Sequence, residues 1–169
     1  MIAAETSQLA RSLLTEYGLV ALFLVLVLEG AMLLYFAPSE SLVPAAVVLL
    51  ASSTAEIVLV VLTAVAGATV GQYVLFALAK RAGREYLLER RWFRIGEERL
   101  DRFDAWFDRW GPVVVPVSNT LLFTRGMLTV PAGLAGMRDR DFVVLSAIGT
   151  LSFQTILVLL TLGVLEAFW

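Results

Sequence analysis

The sequence predicts an all-α, polytopic integral membrane protein with two opposed re-entrant helical hairpins and about three full transmembrane helices. Hydrophobic residues make up 59% of the 169 residues, against roughly 45–50% in soluble domains. A soluble domain of this size cannot hide so much apolar surface in one core, so lipid must cover the excess. Three apolar segments are long enough to cross a hydrocarbon layer about 30 Å thick, and two further apolar segments are broken by proline and polar residues.

The chain is predicted to form one membrane domain, 1–169, made of seven consecutive segments. These are an interfacial helix at 1–16, a transmembrane helix at 17–36, re-entrant loop 1 at 37–52, a transmembrane helix at 57–79, a cytoplasmic amphipathic segment at 80–110, re-entrant loop 2 at 111–137 and a transmembrane helix at 142–165. The first segment carries mixed charges and lacks the basic stretch and cleavage site of a signal peptide. The apolar part of loop 1 has some ten residues, too few to cross a bilayer as a helix.

The basic residues predict the topology. Nine of the thirteen lie between Lys80 and Trp110, and the positive-inside rule places that segment in the cytoplasm. If both broken segments re-enter, Arg11, Arg138 and Arg140 fall on the same side, with a cytoplasmic N-terminus and an external C-terminus. Two opposed half-spanning segments, each followed by a full span, are the pattern of an inverted repeat; here it rests on hydropathy and break positions alone.

The residue types that are missing narrow the chemistry. The chain has no cysteine and no histidine, which removes thiolate chemistry, the commonest metal ligand and the commonest general base. Carboxylates remain as the proton carriers near neutral pH. Acids are interleaved with the bases of the charged segment, so we predict no nucleic-acid partner. We also expect no cofactor, no metal and no enzymatic activity.

Three charged residues lie inside apolar sequence: Glu29, Glu40 and Arg125. A charge at the bilayer centre costs about 2.5–3.5 kcal/mol on insertion scales, so it must pair or face a polar cavity. One interpretation is that Arg125 binds an anionic group, while the two glutamates carry protons or act as counter-charges. The alternative is a buried ion pair of Arg125 with one glutamate that locks the two loops together. Glu40 also fits a solvated position near the outer surface.

Several polar residues accompany these charges. Asn119 lies six residues before Arg125 and is either a substrate ligand or the donor of a cap or interhelical hydrogen bond. Ser39 and Thr124, which precede Glu40 and Arg125, complete the predicted substrate-binding set. Gln72 and Gln154 fall in the middle of spans, where interhelical hydrogen bonding is the ordinary role. Gly67 and Gly71 have the small-xxx-small spacing that permits, but does not require, a close homodimer.

The ordered landmarks of the chain resemble those of the DedA family of membrane proteins. The relevant motifs are Glu29-Gly30, Pro38-Ser39-Glu40, Gly67-Ala68 through Gly71, Lys80-Arg81-Ala82-Gly83, and Phe123-Thr124-Arg125 leading to Pro131-Ala132-Gly133, with Met137 and Phe142 beyond. The resemblance covers roughly residues 29–163, and the stretch from Arg125 to Gly133 is its most specific part.

The resemblance implies two opposed re-entrant loops and the movement of lipids or lipid-linked phosphates, including the polyprenyl-phosphate carrier, across a bilayer. Proton-driven exchange has also been proposed for the family, and the resemblance matches Glu29 and Glu40 to its membrane-embedded acids and Arg125 to the second of its two arginines. Three positions depart from the family pattern. Asn119 replaces the first arginine, Leu122 replaces a usual proline, and Gln72 stands where an acid is expected.

The sequence therefore predicts a cell-membrane transporter or flippase for a lipid phosphate, either polyprenyl phosphate or a phospholipid. The expected partners are membrane lipids that carry phosphate. Two alternatives stay open: a small cation or proton antiporter, in which Arg125 is a counter-charge, and a membrane scaffold that transports nothing.

Overall fold

A computed structural model of the chain describes residues 17–34, 39–89, 101, 105, 107, 109–121 and 126–168. The ordered elements are helices: α1 (Tyr17–Gly30), α2 (Ser39–Leu50), α3 (Thr54–Glu89), a 3-10 turn (Gly111–Val113), α4 (Val114–Thr120), α5 (Thr129–Leu134) and α6 (Asp139–Phe168). Among these residues there is no strand, and the prediction of an all-α protein is confirmed. The predicted interfacial helix at 1–16 lies outside the described residues, as does most of the amphipathic segment beyond residue 89.

Two helices are long and apolar enough to cross a membrane, within α3 (Thr54–Gly83, 30 residues) and α6 (Asp139–Val164, 26 residues). The sequence predicted about three such helices. The first one, expected at 17–36, ends at Gly30 because the chain turns there: Met32 takes a left-handed backbone with φ 57°. Leu33 N–H donates to Leu28 C=O at 2.9 Å and Met32 N–H to Glu29 C=O at 2.8 Å, the pair of bonds that closes a helix in a Schellman motif.

The polar turn before α3 caps that helix. The Glu56 carboxylate accepts hydrogen bonds from Ser52 N–H at 2.6 Å and Ser53 N–H at 3.1 Å, and the Ser53 hydroxyl accepts from Glu56 N–H at 3.4 Å. This reciprocal arrangement of serine and glutamate is a capping box, which satisfies N–H groups that have no partner inside the helix. The helix then continues to Glu89, ten residues beyond the predicted end of the span, with a kink at Gly83 where φ is 76°.

α3 and α6 form an antiparallel pair through the centre of the molecule. Lys80 contacts Asp139 at 2.6 Å, and one turn further along, the rings of Phe76 and Phe142 stack with centroids 4.1 Å apart. Another turn brings Gln72 to Ser146, and near the far end Val60 and Val61 share a cluster with Val158. The pair thus keeps one register over its length, which fixes which residues of the two helices lie level with each other.

The short helices pack at opposite ends of this pair. α1 and α2 contribute Leu22, Leu26, Val43, Ala46 and Val47 to a buried cluster with the beginning of α3 and the later part of α6. α4 and α5 contribute Val115 and Ala132 to a second cluster around Phe76 and Phe142 at the other end. At 12, 7 and 6 residues, α2, α4 and α5 are each too short to cross a bilayer at 1.5 Å per residue.

Glycines allow the helix backbones to touch. A Cβ on Gly67 would lie 2.7 Å from the Phe23 carbonyl oxygen of α1, and one on Gly71 would clash with Val27 C=O of the same helix. Gly133 brings α5 against the Phe76 carbonyl of α3 at 2.6 Å, and Gly149 brings α6 against the Pro116 carbonyl of α4 at 2.5 Å, both measured from a built Cβ. Gly67 and Gly71 therefore serve a contact within the chain.

The two long helices expose large apolar side chains and bury several polar ones. Leu62, Leu78, Leu159 and Leu160 are 53–63% exposed on the two long helices. Buried between those helices are the polar side chains Thr69, Gln72, Ser146, Thr150 and Gln154. An apolar surface that is continuous over two long helices requires a lipid environment.

Candidate functional site

A small polar cavity lies where α1 ends against the middle of α3. Its volume is about 50 Å³, and it is lined by Glu29, Gly30, Met32, Gln72 and Gly126. Three separate parts of the sequence meet there: the last turn of α1, the centre of α3 and the turn that precedes α5. The space is sufficient for at least one water-sized group, and Glu29 provides a carboxylate in its half-buried wall.

A buried hydrogen-bond network supports the wall of this cavity. Asn119 of α4 donates through its side-chain amide to Gln72 Oε1 at 3.1 Å and to Ser146 Oγ at 3.0 Å. The Ser146 hydroxyl also donates to Gln72 Oε1. Gln72 and Asn119 are 2% exposed and Ser146 is fully buried. The network therefore joins α3, α4 and α6 in a place from which bulk water is excluded.

Asn119 also fixes the return of the broken segment. Its side-chain oxygen, Oδ1, accepts a hydrogen bond from Gly126 N–H at 3.1 Å. Gly126 has a left-handed backbone with φ 73°, a conformation that glycine adopts at no steric cost. Thr129 N–H then donates to Gly126 C=O at 3.1 Å as α5 begins. Both amide hydrogens and the oxygen of Asn119 are thereby engaged inside the protein.

The predicted site residues have different outcomes. Glu29 lines the cavity. Asn119 does not line it but donates a hydrogen bond to Gln72, which does. Glu40 is half-buried in the first turn of α2 and does not line this cavity. Ser39 begins α2, but its side chain is outside the described part of the chain, and so are Thr124 and Arg125. Their roles in substrate binding, and the proton-coupling roles of Glu29 and Glu40, stay predictions.

The interhelical role expected for Gln72 is confirmed by its bonds to Asn119 and Ser146. The same role expected for Gln154 is not observed, because neither atom of its side-chain amide has a hydrogen-bond partner among the residues that the structure describes. Ser146 and Gly126 were not among the predicted site residues. A usable signal exists for Ser146: Ser146, Thr150 and Gln154 recur every four residues in an otherwise apolar helix, and so share one face.

A separate ionic cluster closes the hinge between α5 and α6. Lys80 donates to Asp139 Oδ1 at 2.6 Å and to Met137 C=O at 2.8 Å, and the Tyr73 hydroxyl donates to Asp139 Oδ2 at 3.0 Å. The Lys80 and Asp139 side chains are 35% and 52% exposed. Asp139 is also the first residue of α6, where a negative charge is favoured by the helix dipole. The cluster positions the start of α6 and lies apart from the cavity.

The fold and its buried polar centre define a helical membrane protein in which short helices bring polar groups to the middle of two long apolar helices. The chain belongs to the VTT domain family, whose model matches residues 37–163. This match confirms the resemblance to DedA proteins.

Three relatives are similar over most of the chain. Undecaprenyl phosphate transporter A of Staphylococcus aureus is 26% identical over 158 residues, covering 90% of this chain and 77% of the relative. The uncharacterized membrane protein YbfM of Bacillus subtilis is 25% identical, with 92% and 94% covered. Undecaprenyl phosphate transporter A of Bacillus subtilis is 24% identical, with 73% and 63% covered. No solved structure matches the chain.

Proposed function

We propose that the protein moves a lipid phosphate across the bilayer, with the headgroup bound at the cavity beside Glu29. The observation that carries this proposal is the meeting of Glu29, Gln72 and Gly126 around one polar cavity, where α1 ends against the middle of α3. Arg125 directly precedes Gly126 in the chain. A guanidinium offers five hydrogen-bond donors that suit a phosphate.

The opposite charges of Arg125 and Glu29 suggest a mechanism for binding and release. Arg125 attracts the phosphate, and the Glu29 carboxylate competes with the phosphate for the same cation. Protonation of Glu29 removes that competition, so proton uptake favours the bound state and proton loss favours release. In this scheme Glu40, half-buried at the start of α2, is a second carboxylate on the substrate's route, and transport is coupled to protons.

The arrangement of the short helices supports two re-entrant segments. α2 packs at one end of the α3–α6 pair, and α4 and α5 pack at the other. In a bilayer these segments would enter from opposite sides and return, as in an inverted repeat. The basic residues after α3 favour a cytoplasmic position for the end of that helix, and the proposed topology then puts the N-terminus on the same side.

The relatives support a lipid-phosphate substrate. Two of them are named as undecaprenyl phosphate transporters, at 24–26% identity. The substrate proposed for this chain is therefore polyprenyl phosphate or a phospholipid that shares its phosphate. Transport of a lipid involves no chemical step, so the proposed function is not that of an enzyme.

The deciding experiment is lipid movement in proteoliposomes that contain the purified full-length protein. A labelled polyprenyl phosphate and a labelled neutral lipid are followed in parallel, with wild type compared to Arg125→Ala. Arg138→Ala is the matched control, because Arg138 has an 85% exposed side chain and pairs only locally with Asp141.

We expect Arg125→Ala to abolish movement of the phosphate-bearing lipid while Arg138→Ala leaves it at the wild-type rate. Equal rates for wild type and Arg125→Ala would overturn the headgroup assignment. Movement of both lipids by the wild type would indicate scrambling without headgroup recognition.

A second candidate function, a small cation or proton antiporter, is favoured by one observation. The charged side chain among the described residues that line the cavity is an acid, Glu29. The antiporter predicts ion flux that follows a pH gradient and is unaffected by added lipid phosphate. The same proteoliposomes, loaded with a pH-sensitive dye, test it directly.

A homodimer remains part of the proposal, but Gly67 and Gly71 do not support it. Both glycines are occupied by α1 of the same chain. A dimer would have to use the exposed apolar faces of α3 or α6. Light scattering of the detergent-solubilised protein, corrected for bound detergent, gives the oligomeric state.

A further inference from the structure

One face of α6 carries a polar stretch between two apolar clusters. Phe142 belongs to the cluster at one end of the molecule and Val158 to the cluster at the other. Between them, at intervals of four residues, lie Ser146, Thr150 and Gln154, each fully buried with 0% exposure. Side chains four residues apart in a helix lie one above the other. The three polar groups therefore form a line about 12 Å long at 1.5 Å per residue.

The members of this line differ in their hydrogen bonding. Ser146 is engaged with Gln72 and Asn119. Thr150 Oγ1, both polar atoms of the Gln154 amide, and Thr69 Oγ1 on α3 form no hydrogen bond within the chain that the structure describes. Thr69 is 8% exposed. Buried polar groups are almost always hydrogen-bonded, and leaving them without partners is costly, above all inside a membrane.

The register of α3 and α6 explains why the facing side chains of α3 do not satisfy Thr150 and Gln154. Phe142 packs on Phe76, and Ser146 bonds to Gln72. Because the two helices are antiparallel, each further four residues along α6 correspond to four residues back along α3. Thr150 therefore lies level with Ala68, and Gln154 lies level with Ala64. Both alanines have 0% exposure, and their methyl groups offer neither donor nor acceptor. Gln154 thus has no hydrogen-bond partner within the described part of the chain, and a bound small molecule can supply one.

The chemistry of the orphaned atoms selects that molecule. Gln154 presents a donor, Nε2, and an acceptor, Oε1, and each threonine hydroxyl can do both. A fully deprotonated anion accepts hydrogen bonds but cannot donate to Oε1, and a metal or ammonium cation cannot accept from Nε2. Water does both, and it commonly satisfies buried polar groups with two to four bonds.

We propose that Thr69, Thr150 and Gln154 form a water-binding site that extends the Glu29–Gln72 cavity along α6. Thr69 lies three residues before Gln72 on α3, on the same side of the helix, and so connects the cavity to Thr150. The hydrated line leads from Glu29 toward the end of the molecule where α2 packs. Where transport is coupled to protons, as in the proposed function, this water is the route by which a proton reaches Glu29.

Hydration is measurable without any transport assay. The chain has three glutamines, Gln8, Gln72 and Gln154, so uniform 15N labelling gives three glutamine side-chain amide signals and also labels the backbone amide of Phe142. The full-length protein is placed in lipid bilayers, and solid-state NMR follows magnetisation transfer from water to each amide. Gln154→Leu assigns its signal by loss.

We expect magnetisation from water to reach the Gln154 side-chain amide at least fivefold faster than it reaches the backbone amide of Phe142 in the apolar cluster. Transfer to Gln154 no faster than to Phe142 would overturn the proposal. In Gln154→Leu, the water signal at the Thr150 hydroxyl should also fall, whereas Thr161→Val should not change it. Thr161 bonds to its own helix at Leu157 C=O at 2.8 Å and so is a matched control.

The wild-type measurement decides the question even if Gln154→Leu fails to fold. Loss of lipid-phosphate movement in a protein that retains water at Gln154 would count against the proposed function and not against the hydrated site. A dry Gln154 in a protein that still moves lipid phosphate would count against the hydrated site alone.

Discussion

Asn119 donates a hydrogen bond to Gln72 across 3.1 Å. This bond fastens α4 to the centre of α3, the longest of the described helices. Because Asn119 also accepts from Gly126 N–H, one amide side chain holds α4, the turn before α5 and α3 together. The cavity beside Glu29 takes its shape from this connection, since Gln72 and Gly126 are both in its wall.

Replacing Asn119 with leucine should destabilise the protein markedly. The substitution keeps an apolar side chain of similar size but leaves Gly126 N–H without its partner, at a cost of about 1–3 kcal/mol for such a buried group. Thr120→Val is the control, because the Thr120 hydroxyl mainly bonds to Pro116 C=O of its own helix at 2.8 Å. Denaturation in detergent micelles measures both variants, and equal losses of stability would contradict the network's importance.

Adding a methyl group at Gly71 should force α1 away from α3. A Cβ there would clash with Val27 C=O, with Ala31 N at 2.8 Å as a further close contact, and overpacking of this kind costs about 1–3 kcal/mol. Gly163→Ala is the matched control in α6, where a Cβ would meet nothing within 4 Å. We expect a lower midpoint of thermal unfolding for Gly71→Ala only. An equally small change of the unfolding midpoint in Gly71→Ala and Gly163→Ala would show that the α1–α3 contact is loose.

The proposed topology can be tested with single cysteines, because the chain has none of its own. If residues 111–137 re-enter, Arg109→Cys and Arg138→Cys should both react with a membrane-impermeant maleimide from the cytoplasmic side. Ser52→Cys should react from the opposite side. Labelling of Arg109→Cys and Arg138→Cys from different sides would mean that this segment crosses the bilayer.

Glu29→Gln should impair transport while preserving the fold. The amide keeps the volume of the side chain but cannot ionise, so the release of a bound phosphate loses its trigger. We expect the initial rate of lipid-phosphate movement to fall by about tenfold or more, equivalent to about 1.4 kcal/mol on the barrier. The control is Glu166→Gln, an exposed acid near the end of α6. An unchanged rate and pH dependence in Glu29→Gln would remove Glu29 from the mechanism.

The sequence by itself determined the class of protein and the positions of its main breaks. Long uncharged runs must be helical in lipid, since no other open structure satisfies the backbone, and α3 and α6 lie where those runs are. Proline at position 116 and the glycines near it predicted a broken segment, which is present as α4 and α5. Glu29 was recognisable because a carboxylate in apolar sequence is costly unless it meets a polar partner or cavity.

The tertiary structure decided which polar residues meet. Gln72, Asn119 and Ser146 are separated by dozens of residues in sequence, and hydropathy contains no information about their pairing. The end of α1 at Gly30 depends on a left-handed Met32, a conformation that a non-glycine residue adopts only when its surroundings favour it. Gln154 has no hydrogen-bond partner among the residues that the structure describes, and the register of α3 against α6 places Ala64 level with it. Such registers are set by packing between helices, which no local pattern in either helix encodes.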